Sequence, residues 1–167
     1  MMLTSAGAGL LAKCLAGKTL QFIAVQLGNG DTAGASEDMT ALVSVKKTLP
    51  ISSITRAGTK VNIKVVLDYT SVTEDFQWKE VGLIAADPDT GGEVLYCYGN
   101  AGSKGDWITG GISATAKSIN LTALVSNIAS VTATIDNTTI YAAADLSNVT
   151  TTSLAEAVKG AGCRPEG

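Results

Sequence analysis

The sequence predicts a mainly β protein, a β-sandwich with one N-terminal α-helix packed against it. Three observations predict it. One segment near the N-terminus has helical periodicity. After it come short apolar and Thr-rich runs at spacings of roughly ten residues. Between the runs lie breaks rich in Gly, Pro, Asn and Asp.

The helix comes first. Thr4 or Ser5 can cap it, Leu10, Leu11, Cys14 and Leu15 fall on one face, and Gly17 supplies a left-handed stop, so the spacing predicts a helix over residues 5–16. Residues 19–28 then alternate Leu20, Phe22, Ala24 and Gln26 against Gln21, Ile23, Val25 and Leu27. Apolar residues on both sides imply a covered strand. The break at Gly28-Asn29-Gly30-Asp31 opens a polar loop over 29–40. In the run that follows, Pro50 cannot donate to a ladder, which predicts an edge strand or a strand start in the Leu42–Ile54 region. Residues 59–70 set Val61, Ile63 and Val65 against Asn62 and Lys64, a strand with one wet face.

The strongest local signal is the hairpin FQWKEVGLIAADPDTGGEVLYCYGNAG, residues 76–102. Its turn, Asp87-Pro88-Asp89-Thr90-Gly91-Gly92, carries proline, Asx and glycine chemistry. Phe76 and Trp78 share a face, but Val81 and Leu83 are one residue out of phase with them. Either a bulge lies near Lys79-Glu80, or the strand is covered on both faces from there on. Residues 99–117 are glycine-rich and read as irregular around Trp107, and 118–128 and 130–146 read as strands. The last residues suggest a short helix with a disordered tip, in which Leu154, Ala155 and Val158 could seed a helical seam.

Composition narrows function. The 167 residues are 46% hydrophobic and only 16% charged, with a net charge of −3. A surface covered mainly by Thr, Ser, Asn and Gly favours assembly. The acidic balance offers no footprint for nucleic acid, and no apolar run approaches the roughly 18 residues of a spanning helix. Met1–Gly17 lacks the basic start of a secretory signal, and Lys13 interrupts it. Three cysteines without a pairing spacing read as reduced thiols in a chain assembled in the cytosol. Histidine is absent, which removes the Ser-His-Asp and Cys-His routes and the commonest metal ligand.

Several motifs reduce to plain structure. Gly7-Ala8-Gly9-Leu10-Leu11-Ala12 matches a dinucleotide fingerprint, but only six residues precede it, too few for the strand the chemistry needs. Gly17-Lys18-Thr19 resembles the end of a phosphate loop without its first glycine. Asp87, Asp89 and Glu93 lack the later ligands of a calcium loop and read as a turn. Glu74-Asp75 and Asp87-Asp89 keep a paired-carboxylate hydrolase only formally open. Glu80 is the most informative carboxylate, because it lies in a covered strand and must be met by lysine, arginine or backbone amides. Catalytic, cofactor and metal residues are therefore expected to be none. The structural or interface candidates are Glu80, Trp78, Trp107, Pro50, Tyr96 and Tyr98.

Residues 76–102 resemble the most recognisable block of the phage tail-collar fibre family, the N-terminal domain of tail fibres and related baseplate proteins. Residues 3–31 are similar to its opening helix and first strand, Met39–Ser44 and Leu49–Ile54 to its next blocks, and 127–146 to its closing strands. The resemblance sets a domain over 1–146 and a short tail over 147–167. It implies attachment to a baseplate or collar, a homotrimer, a place in the virion after assembly in the bacterial cytoplasm, other tail proteins as partners, and no catalytic residue. Two departures stand out. Family members usually continue into a long fibre shaft, whereas this sequence ends at Gly167, which favours an adaptor over a complete host-recognition fibre. Trp78-Lys79 stands where an aromatic followed by arginine is more usual, leaving the partner of Glu80 open. The rival expectation is a small receptor-binding protein that contacts host polysaccharide through loops 29–40 and 99–111, with Trp107 as its aromatic.

Overall fold

Thr4 decides both where the helix begins and what it leans on. Its hydroxyl accepts from the Gly7 amide at 2.9 Å, the bond expected of an N-cap. The same hydroxyl donates to the Leu95 carbonyl, and the Thr4 amide donates to the Tyr96 carbonyl at 3.0 Å. In this computed structural model, which describes residues 1–32, 34–111 and 116–136, helix α1 spans Ser5–Leu15 and buries Gly7, Leu10, Leu11 and Cys14. Gly17 ends it at φ 106°. Leu15, expected on the buried face, is 55% exposed. It is the helix's last residue, at the margin of the packed face.

The strands are β1 (Met2–Leu3), β2 (Leu20–Gly28), β3 (Val45–Ala57), β4 (Lys60–Asp68), β5 (Phe76–Trp78), β6 (Glu80–Ala86), β7 (Glu93–Asn100), β8 (Asp106–Ile108), β9 (Ala116–Leu124) and β10 (Val131–Ala133). Eight of them form one curled sheet in the order β1-β7-β6-β2-β3-β4-β9, with β10 lying parallel against the first part of β2. The predicted fold class holds: the sheet folds over itself into sandwich-like layers with one helix against them. The Tyr96 hydroxyl crosses between the layers and donates to the Leu124 carbonyl at 2.6 Å.

Pro50 marks the corner. Residues of β3 up to Pro50 pair with β2, whereas those from Ile51 pair with β4, with a register shift between Ile51 and Ser53. Pro50 therefore neither starts a strand nor sits on an outermost one, and β3 lies between two partners. The missing N–H is tolerated because the strand is passing from one ladder to the next at that residue. Among the described residues the end strands of the sheet are β1 and β9.

The phase slip after Trp78 also has a topological cause. Among the described residues β5 pairs only with β8, in a separate two-stranded ribbon, while β6 enters the main sheet between β2 and β7. Lys79 is the joint, its amide bound to the Gly28 carbonyl at 2.9 Å. From Glu80 on the strand is covered on both faces, the second of the two alternatives the phase slip left open. In β7 a bulge sets Leu83 opposite Cys97 and Ile84 opposite Leu95, so Tyr96 is the extra residue. Tyr96 and Cys97 then both enter the main core, while Leu95 and Tyr98 face the other side with Leu42 and Ile84.

Two sequence assignments are corrected. Residues 99–117 are not irregular throughout, because they contain a 3₁₀ turn at Gly102–Lys104, strand β8 and the start of β9. The strand expected over 118–128 ends at Leu124, and Ser126 turns the chain at φ 53°. Of the strand expected over 130–146, β10 and the bridge from Ile135 to Ile51 are seen. The remainder, and the C-terminal helix expected beyond it, lie outside the described residues.

Candidate functional site

The loop after β2 would leave the outer face of β6 and β7 bare if nothing held it down. Glu80 holds it. Its Oε2 accepts from the amides of Gly30 at 2.9 Å and Ser44 at 3.0 Å, and its Oε1 accepts from the Val43 amide at 2.9 Å and the Tyr98 hydroxyl at 2.7 Å. Of the partners left open by the sequence, backbone amides meet this carboxylate. The neighbouring cation, Lys79, goes instead to Asp31 at 3.0 Å and ties the same loop a second time. Glycine is required at two points beside the carboxylate: a Cβ on Gly28 or Gly30 would stand 2.6 Å from Oε2.

Glu80 has no exposed surface. Burial works against its ionisation, but donors from Val43, Tyr98, Ser44 and Gly30 together outweigh it and hold the carboxyl below the ordinary glutamate value. A carboxylate with its oxygens filled and its pKa lowered is a poor proton shuttle, and its chemistry here is that of an anchor. Burial, reinforced by Glu80, pushes the Tyr98 hydroxyl up to about 12. Asn100 extends the network by donating to the Gly30 carbonyl at 3.0 Å and the Tyr98 oxygen at 3.1 Å.

The structure thus brings together Glu80, Tyr98 and Trp78, whose indole N–H donates to the Glu80 carbonyl at 2.9 Å. It does not bring Tyr96, Pro50 or Trp107 to them. Tyr96 is in the main core, edge-on to Phe22 at 5.2 Å between ring centroids. Trp107 lies on β8 opposite Gln77 and is 69% exposed. Beside the ribbon, Trp78, Lys79 and Val81 face Lys104–Asp106 across a shallow cleft of about 340 Å³ floored by Gly99 and Asn100. Lys117 lies against two of the lining residues, 5.3 Å from the Trp78 ring centroid and 3.1 Å from Asp106.

Sequence reasoning missed the loop's share of this site: Gly28, Gly30, Leu42, Val43 and Ser44. The available signal was the pair of glycines flanking Asn29, which carried a structural demand beyond that of a break.

Three of the other carboxylates singled out in the sequence, Asp75, Asp87 and Asp89, have structural partners. Asp87 and Asp89 bind Lys13 at 2.8 and 3.0 Å, and Lys18 reaches Asp89 at 3.5 Å, so the helix end is tied to the hairpin turn. Asp75 accepts from the Gly110 amide at 2.8 Å. Gly7, first glycine of the dinucleotide-like motif, would place a Cβ 2.2 Å from the Tyr96 carbonyl, so that position is occupied by strand backbone. Among the described residues no group of three or more His, Cys, Asp or Glu is arranged to hold a metal ion.

This fold, with its helix, curled sheet and clamped loop, lies within the stretch matched by a known family. The family described as phage tail-collar fibre protein, N-terminal, matches residues 1–145. The chain belongs to that family. No curated protein and no solved structure matches it. As a tail-collar fibre chain it has a structural role in a phage tail and associates with other tail proteins. No helix among the described residues is long and apolar enough to cross a membrane.

Proposed function

We propose that this chain docks one component of a phage or phage-like contractile tail, a fibre or an adaptor, onto the baseplate or collar, and that it does so without catalysis. The observation that carries this reading is the family match over residues 1–145. The surface supports it, since most exposed positions among the described residues carry no charge and the sheet ends there in strands able to accept a neighbour. In this reading residues 1–146 are the docking domain, 147–167 are an appended tail, the unit is a homotrimer, and assembly takes place in the host cytoplasm before incorporation into the virion. Gold-labelled antibody against the chain should decorate assembled particles at the baseplate or collar, and native mass measurement of the purified chain should give three copies. Label confined to soluble protein would overturn the docking role, and a monomer at high concentration would overturn the trimer.

One observation favours a second reading. Trp107 presents most of its indole to solvent on the narrow ribbon of β5 and β8. An aromatic platform of that kind suits a host polysaccharide. Fluorescently labelled chain should then adhere to host cells and lose adhesion on Trp107→Ala, whereas a pure docking component does not adhere.

A further inference from the structure

We infer that β9 and the outer face it shares with β4 form a docking edge for an extended, acidic segment of another tail protein. The inference rests on the docking reading above and names the surface it would use.

β9 ends the sheet. It runs in unbroken register with β4 over nine residue pairs, from Lys60 opposite Leu124 to Asp68 opposite Ala116. Among the described residues its other side carries no strand, and only the Leu124 carbonyl is taken, by Tyr96. Long edge strands are usually protected by a proline, a bulge or an outward charge. Ala116–Leu124 contains neither proline nor glycine, and no register shift interrupts its ladder. Its one charged side chain, Lys117, is drawn to Asp106 and the Trp78 ring. The residues alternating outward, Ser118, Asn120 and Thr122, are exposed and uncharged. Such an edge is suited to pairing.

Charge selects the occupant. On the same face β4 presents Lys60 and Lys64, both exposed, and neither has an ion-pair partner among the described residues. The face's one acid, Asp68, sits at the end of β4 away from Lys60, opposite Ala116, where the amide and hydroxyl of Thr70 bind it at 2.9 and 2.7 Å. This basic stripe lies on a chain whose net charge is −3. A strand added beside β9 with acidic residues on the outer face would offset it. A second copy of the same face would instead put two basic stripes into one sheet.

The test uses the purified full chain and amide hydrogen exchange over Ala116–Leu124. The probes are two peptides of about nine residues, one alternating Thr and Glu and one alternating Thr and Lys. The Thr-Glu peptide should slow alternate β9 amides by about fivefold or more at saturation, and Thr-Lys should not. The exposed double variant Lys60→Glu/Lys64→Glu, with an unchanged circular dichroism spectrum, should bind Thr-Glu about tenfold more weakly. Equal response to both peptides would overturn the inference. So would protection that grows with protein concentration alone, which would assign the edge to a second copy. Full protection of β9 in the dilute chain would overturn it too, because the edge would then be occupied by the chain itself. Antibody decoration of particles is independent of these outcomes, so the edge can fail while the docking role stands.

Discussion

The Tyr98 hydroxyl donates to Glu80 Oε1 at 2.7 Å, and both side chains have no exposed surface. Neighbouring strands β6 and β7 thus bury a charge and its phenol donor on the face that Gly30, Leu42, Val43 and Ser44 cover. Removing the carboxylate would strand four donors at once. Glu80→Ala should cost about 3–5 kcal/mol of folding stability. Tyr98→Phe, which removes one donor, should cost about 1–3 kcal/mol. Urea unfolding measures both, and hydrogen exchange should locate the first loss at the amides of Gly30, Val43 and Ser44. A change below about 0.5 kcal/mol for Glu80→Ala would refute the anchor role.

Stability should fall at both extremes of pH for opposite reasons. Glu80 is held below its ordinary value of 4.5 in the fold. Its contribution is therefore complete above 4.5 and declines as pH drops through the lowered folded value. Tyr98 is raised from 10.0 to about 12. Its contribution is complete below 10.0 and is lost as pH climbs towards 12, because the unfolded chain releases that proton first. Equilibrium unfolding across pH should show the acid slope shrinking in Glu80→Gln and the alkaline slope shrinking in Tyr98→Phe.

The tightest backbone approach predicts a packing failure. Gly7→Ala would push a methyl to 2.2 Å from the Tyr96 carbonyl, and strand backbone cannot yield cheaply. The variant should lose about 1–3 kcal/mol or more. Gly9→Ala, two residues on with open space around its Cβ, should be neutral or slightly stabilising through helix propensity. Thermal unfolding of the two variants separates close approach from a general effect of glycine.

The two tryptophans should behave oppositely. Trp107→Ala should leave the melting temperature within a degree or two, since an exposed residue contributes about 0.5 kcal/mol or less. Trp78→Phe removes the indole bond to the Glu80 carbonyl and loosens the stacking of Lys117 on the ring. It should cost about 1–2 kcal/mol. Fluorescence should agree, with Trp107 quenched readily by acrylamide and Trp78 poorly.

Much of this fold was legible because periodicity and turn chemistry act locally. Leu10, Leu11 and Cys14 at helical spacing, the alternation from Val61 to Val65, and the Asp87–Gly92 turn each carry their own instruction. What could not be read depends on distant partners. Pro50 looked like an edge residue because its missing donor is visible in sequence, whereas the handover from β2 to β4 that accommodates it is not. The slip after Trp78 was visible, but that β5 leaves for a partner near Trp107 depends on a contact made about thirty residues later. Glu80 announced that it needed donors. That they would come from the loop around Gly30 and Val43 was a property of the folded surface alone.

Thr4, which caps α1 and reaches the carbonyls of Leu95 and Tyr96, has a kinetic corollary. During synthesis the first helix emerges some ninety residues before the strand that receives it. Until the ribosome has released β7, Leu10, Leu11 and Cys14 lack the main strand they dock on, and the nascent chain carries an oily, partly unclaimed helix through most of its elongation. Shortened translation products ending before Tyr96 should therefore be the sticky ones, and co-translational chaperones should find them first.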